Sequence, residues 1–264
     1  MSTTLPPELF DIVLDFLHSD TDALMACSLT CKAWLITSQY HLFNELVATP
    51  TDIQAFLKFV ESSSSHIATV VRRLVIQRSM VYSMTGKLNL HFRGLQSLTL
   101  SEIFWGILPP DIRHSLPDLV SVKHLNLHRV NFETLQQILQ FICAFPALEC
   151  VSLTDWTMHF PFLDTEMFLV TASRLSLRYP LRIHLDCVNL DRPKSILLFI
   201  EWLVIQDPLP LIQLDALRLG PLTDLTLFAL PCVHKFMRIL NPSLAQLHIR
   251  VPQLSYTAQE MDGR

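Results

Sequence analysis

The chain has 264 residues, of which 50% are hydrophobic and only 17% charged, with a net charge of −4. A mean hydropathy of +0.34 leaves ample apolar surface for a core and excludes a disordered chain. The slightly acidic balance gives no general attraction to nucleic acid or to an anionic membrane, and the length leaves room for one or two domains.

The first predicted helix opens in the segment Leu5-Pro6-Pro7-Glu8-Leu9. Proline's fixed φ suits a first turn, where its missing N–H is not needed. Glu8 places negative charge near the positive end of the helix dipole. Leu9, Ile12, Val13, Phe16 and Leu17 then recur at helical spacing as one broad apolar stripe. Asp20, Thr21 and Asp22 offer capping oxygens to a second helix carrying Leu24 and Cys27. Thr30 is placed to cap a third, with Trp34 as its large anchor. Three short helices bury little apolar surface alone, so the unit is expected to lean on a neighbouring domain or a partner.

The Leu5-Pro6 opening, the Glu8 and apolar helix behind it, and the closing Cys31-Lys32-Ala33-Trp34 together resemble an F-box. The run from Ala26 to Trp34 looks like the fungal type. An F-box is a short helical module that docks a protein onto the Skp adaptor of cullin–RING ubiquitin ligases. The resemblance covers residues 1–46 and implies an F-box domain there. It implies adaptor contacts from Leu5, Pro6, Leu9, Ile12, Leu17, Leu24 and Trp34. Of these, Leu5, Pro6, Leu9 and Leu24 are expected foremost, and Trp34 is alternatively a lock for the helical core. The plain alternative is a helical cap at the start of a domain.

Beyond it, a Leu-x-Leu pattern recurs. It reads Leu74-Val75-Ile76, Leu98-Thr99-Leu100, Leu125-Asn126-Leu127, Val151-Ser152-Leu153, Ile183-His184-Leu185, Leu217-Arg218-Leu219 and Leu247-His248-Ile249. A further apolar residue stands three places earlier in six cases: Val71, Leu95, Val122, Leu148, Leu214 and Leu244; the exception is Pro180. Alternation of this kind predicts strands with the leucines on one face. One such strand cannot bury its face alone, whereas stacked neighbours form a continuous core. Helical periodicity appears between them at 51–61, 132–145 and 195–205, and a loop is expected at 62–65. Pro208 and Pro210 break the chain before the sixth strand.

The pattern Leu-x-x-Leu-x-Leu resembles an irregular leucine-rich repeat, and an F-box followed by such repeats is a familiar pairing. The resemblance implies an α/β fold. A three-helix F-box would lead into a degenerate leucine-rich-repeat solenoid over residues 47–264, with a curved parallel sheet. A generic alternating α/β domain is the alternative. The last motif is followed by a short polar tail, so a cap, a partner or a further segment is expected there.

If the leucines point inward, Arg73, Gln77, His124, Asn126, His128, Arg182, His184, Asp186, Arg218, His248 and Arg250 point outward. That is four arginines and four histidines against one acid. Target binding is expected from His124, His128, Arg182, His184, Arg218, His248 and Arg250. Such a strip would draw an acidic or phosphorylated segment of a target protein, with histidine adding sensitivity to pH.

Signals for catalysis are missing. The five glycines form none of the phosphate-cradling patterns, and no Gly-x-Ser-x-Gly elbow is present. His124 and His128 lack the acid of a His-Glu-x-x-His zinc motif and fall on a predicted strand. The six cysteines are scattered and expected to be reduced thiols. The longest apolar run, 196–205, is broken by Glu201 and falls short of the ~20 residues of a membrane span. No signal-peptide pattern opens the chain, so an intracellular site is expected, cytoplasmic or nuclear. The expectation is a substrate-recognition subunit of an SCF-type ubiquitin ligase, not an enzyme, with no cofactor and no metal. The alternative is a non-catalytic interaction module acting outside a ligase.

Overall fold

The computed structural model describes residues 6–47, 58, 67–78, 92–158, 181–187, 199–200, 202–203, 212–219 and 246–249. Helices α1 (Pro7–Phe16), α2 (Thr21–Ser28) and α3 (Lys32–Phe43) come first. Pro6 stands at the N-cap of α1, with Pro7 and Glu8 in its first turn. Asp20 caps α2, its Oδ1 accepting from the Ala23 N–H at 2.9 Å. The start of α3 departs from expectation. Its N-cap is Cys31, with no side-chain cap. The Thr30 hydroxyl instead donates to the Cys27 carbonyl at 2.7 Å, so it closes α2 rather than opening α3.

Among the described residues ten strands follow: β1 Glu45–Val47, β2 Arg73–Gln77, β3 Ser97–Ser101, β4 His124–His128, β5 Asn131–Phe132, β6 Cys150–Thr154, β7 Thr157–Met158, β8 Leu181–Cys187, β9 Ile212–Leu219 and β10 Gln246–Ile249. Eight form one parallel sheet in the order β1-β2-β3-β4-β6-β8-β9-β10, while β5 and β7 pair separately. Among the described residues the fold is therefore mixed α/β, with strands added in chain order.

All seven Leu-x-Leu motifs lie in strands of the large sheet. Leu74, Leu98, Leu125, Val151 and Ile183 share one row of the register, and Ile76, Leu100, Leu127, Leu153 and Leu185 another. All ten side chains are at most 1% exposed. Val71, Leu95, Val122 and Leu148, three places upstream, are buried with them. The sixth motif sits differently. Ile183 pairs with Leu214 and His184 with Ala216, so the register passes over Asp215 and aligns Leu217 with Leu185. An irregularity of this kind inserts one residue and restores the phase. Strand β10 then joins in the expected phase, Leu247 opposite Leu217.

Two backbone devices repeat from strand to strand. Before β2, β3, β4 and β6 one carbonyl accepts from two consecutive N–H groups of the next segment. Asn44 receives Arg72 and Arg73, Arg72 receives Gln96 and Ser97, Gln96 receives Lys123 and His124, and Lys123 receives Glu149 and Cys150. After three strands comes a left-handed residue: Glu102, Arg129 and Asp155 have φ of 57, 51 and 50°. None is glycine, so each turn carries some backbone strain. The turn sends Ile103, Val130 and Trp156 straight into the core.

Helices α4 (Ile67–Val70), α5 (Pro110–Ser115) and α6 (Leu135–Cys143) lie between strands. Helix α6 is the element expected at 132–145, shortened by its cap. Thr134 Oγ1 accepts from the Gln137 N–H while Gln137 Oε1 accepts from the Thr134 N–H, a capping box. Its Leu135, Ile138, Leu139 and Ile142 are buried as the periodicity implies. Of the stretch at 195–205, Phe199, Ile200, Trp202 and Leu203 are helical and buried, and the rest lies outside the described residues. So do the loop at 62–65, Pro208, Pro210 and all of 51–61 except the helical Lys58.

The expected domain limit between residues 46 and 47 falls inside β1, which pairs with β2. The helical unit thus runs through Asn44 directly into the sheet's first strand. Among the described residues, no helix is long and apolar enough to cross a membrane.

Candidate functional site

The first candidate surface belongs to the helical unit. Leu14, Leu24 and Cys27 form its core, with Leu17, Trp34 and Leu42 packed against them. The rings of Phe10 and Trp34 lie 5.7 Å apart. Two polar ties hold α1 to α3: the Thr37 hydroxyl donates to Asp11 Oδ1 at 2.7 Å, and His41 Nε2 donates to Asp15 Oδ1 at 2.9 Å. These contacts turn the Phe10, Leu14 and Leu17 side of α1 inward. The opposite side stays open. Leu9, Ile12, Val13 and Phe16 are 43, 49, 46 and 82% exposed. Met25, Leu29, Ile36 and Tyr40 add exposed apolar groups on or beside α2 and α3. Single exposed apolar residues are ordinary, but four on one helical stripe mark a surface that a partner would cover.

The residues expected to meet the adaptor therefore divide. Leu9 and Ile12 are on the open stripe, and Pro6 is exposed at the helix start. Leu24 is corrected: it is fully buried against Leu14 and Cys27 and presents nothing to a partner. Leu17 and Trp34 are partly buried and pack on the same core, which places Trp34 as its lock. Leu5 lies outside the described residues. Phe10 and Leu14 were missed, although with Leu17 they form a second stripe at helical spacing.

The second candidate surface is the sheet face opposite the leucines. Its rows follow from the register. Arg73, Ser97, His124, Cys150 and Arg182 form one, Val75, Thr99, Asn126, Ser152 and His184 the next, and Gln77, Ser101, His128, Thr154 and Asp186 the third. Arg182 is exposed, and His124, His128 and His184 are half-buried. Asn126 Nδ2 donates to Thr99 Oγ1 at 3.2 Å across two strands. Arg218 stands opposite Asp186 and His248 opposite Arg218 in the backbone register, while Arg250 lies outside the described residues.

The expected count of one acid on this face needs correction. The fold brings Glu45 to 3.4 Å from Arg73, and Glu149 to 2.7 Å from Lys123. At the far end of the strands, Glu102 lies 3.1 Å from Arg129. Glu45 stands opposite Arg73 in the register, Glu149 and Glu102 precede or follow the alternating positions, and stacking places all three beside the cations. The Lys123 hydrogen bond holds the Glu149 carboxyl below its usual 4.5; desolvation opposes it, and the charges of Lys123, His124 and Arg182 add to the lowering. A depressed carboxyl stabilises the fold above the usual value, and the contribution is lost as pH falls through the lowered one. In Lys123→Ala, the NMR titration midpoint of the Glu149 carboxyl is expected to rise toward 4.5. An unchanged midpoint would remove Lys123 as the cause.

Among the described residues, Cys27 and Cys31 are free thiols, and no three His, Cys, Asp or Glu side chains gather as a metal site. No family model matches the chain, and no curated protein matches it either.

Proposed function

We propose that the chain is a substrate receptor of an SCF-type cullin–RING ubiquitin ligase, an F-box joined to an irregular leucine-rich-repeat solenoid. The carrying observation is the open stripe of Leu9, Ile12, Val13 and Phe16, directly behind the Leu5-Pro6 opening. A small helical unit with an uncovered apolar stripe suits a docking module. The Skp adaptor would cover Leu5, Pro6, Leu9, Ile12, Val13 and Phe16. Leu24, Leu17 and Trp34 would shape the stripe from inside.

The repeat reading is supported by the stacked register, the doubly accepting carbonyls and the recurring left-handed turns. In this reading the F-box and repeat segments meet at β1, and the open sheet face holds a target protein. The chain would contribute proximity rather than chemistry, so it is not an enzyme and takes no cofactor. Its place would be the cytoplasm or the nucleus, where such ligases act.

Isothermal titration calorimetry of the purified chain against the Skp adaptor tests this. Binding is expected, and Leu5→Ala/Pro6→Ala should abolish it. A chain that is folded by circular dichroism yet does not bind would overturn the ligase reading and leave an interaction module with another partner.

A further inference from the structure

The fixed charges on and around the open sheet face come in pairs: Arg73 with Glu45, Lys123 with Glu149, and Arg129 with Glu102. Arg182 feels Glu149 and shares its strand with Asp186. Permanent positive charge is therefore largely cancelled. The histidines form no such ion pair, although the Glu149 carboxylate acts on His124 as it does on Arg182. His124 and His128 occupy the two ends of β4, and His184 lies within β8. None of the three rings hydrogen-bonds or ion-pairs with a described residue.

Their neighbours across the strands are short and uncharged. Ser97 and Cys150 flank His124, Ser101 and Thr154 flank His128, and Ser152 and Ala216 flank His184. The charged groups nearby are Lys123 and Glu149 for His124, and Glu102, Arg129 and Asp155 for His128. For His184 they are Arg182 and Asp186 on its own strand.

We infer that this face takes an extended, carboxylate-rich peptide segment of the target, and takes it in step with protonation of His124, His128 and His184. The inference rests on reading the face as the target-binding surface. Imidazole is the side chain that gains charge near neutrality, and protonation turns its acceptor nitrogen into a second donor. Each ring then offers a charge-assisted bond to a carboxylate. The spacing suits an extended ligand. Four residues of strand span ~13 Å, and His184, two strand steps (~10 Å) across and two residues (~7 Å) along from either, lies ~12 Å from His124 and His128, so each pair of rings matches acids about four places apart on an extended chain. Carboxylates stay ionised down to about pH 4–5, whereas a phosphate loses its second charge near pH ~6, where an ordinary imidazole gains its own. A carboxylate partner therefore keeps the coupling that a phosphate would blunt.

Fluorescence anisotropy on the full chain tests this with three labelled probes: an alternating Glu/Ala peptide, its Gln/Ala counterpart and its phosphoserine/Ala counterpart. From about pH 8 to about pH 6 the Glu/Ala peptide is expected to tighten roughly tenfold, as three added weak ion pairs would give. The Gln/Ala peptide should not tighten, and the phosphoserine peptide should tighten less. His124→Gln/His128→Gln/His184→Gln should lose the tightening while keeping its far-UV circular dichroism. Absence of Glu/Ala binding, pH-independent binding, or tightening that survives the triple substitution would each overturn the inference. A larger gain for the phosphoserine peptide would overturn the carboxylate assignment. Adaptor binding read on the same samples separates the two readings. Adaptor binding without probe binding removes only this inference. Histidine-dependent probe binding without adaptor binding supports it and removes the ligase.

Discussion

Leu9→Asp combined with Ile12→Asp should abolish binding of the Skp adaptor while leaving the helical unit folded. Both side chains lie on the open stripe of α1, and neither belongs to the Leu14–Leu24–Cys27 core. Their exposure means that aspartate meets water in the free chain, so the cost to folding is a helix-propensity difference well under ~1 kcal/mol per site. In the complex the same carboxylates would be forced into an apolar contact without partners. Central apolar anchors of an interface are each worth about 2 kcal/mol or more, so the pair should weaken binding by roughly a thousandfold. Leu24→Ala is the contrasting control. It empties a fully buried site and should cost the helical unit about 3 kcal/mol, weakening binding only through lost folding. Calorimetry with circular dichroism on both variants separates the effects. Undiminished affinity in a folded Leu9→Asp/Ile12→Asp chain would move the docking surface away from α1.

The second large effect concerns the sheet. Leu125 is completely buried, with Leu98 and Val151 on either side in the register. Truncation to alanine leaves a cavity between two strands whose spacing is held by backbone hydrogen bonds, so little collapse can follow. Leu125→Ala should cost about 2–5 kcal/mol, a large share of the roughly 5–15 kcal/mol typical of a folded domain. Asn126, next in sequence, is on the other face and loses only the 3.2 Å bond to Thr99. Asn126→Ala should cost about 1 kcal/mol or less. Urea unfolding of the two variants reads the phase of the strand directly. If Asn126→Ala proved the more damaging, the assignment of buried and open faces would be reversed, and the histidine face with it.

The strands were legible because a period of two is a local property. Leu98-Thr99-Leu100 announces its buried face without reference to any other segment. Helix α6 was legible for the same reason, since its apolar spacing and its capping pair sit within one short stretch. The turns at Glu102, Arg129 and Asp155 were not, because no glycine or asparagine marks them. Strand-to-strand hydrogen bonds hold those residues in the left-handed region: the Glu102, Arg129 and Asp155 N–H groups reach the carbonyls of His128, Thr154 and Asp186.

The direction of α1 was likewise hidden. Its sequence carries two apolar stripes, Leu9-Ile12-Val13-Phe16 and Phe10-Leu14-Leu17, and either could have faced inward. Trp34, Thr37 and His41 on α3 choose the second, and the choice leaves the first for a partner. The charge of the open sheet face follows the same rule. Arg73 reads as a free cation until stacking brings Glu45 beside it. Periodicity along the chain settles which residues share a face. Which face is covered, and which charges cancel, depends on neighbours distant in sequence, because packing and ion pairing act through space and carry no local signature.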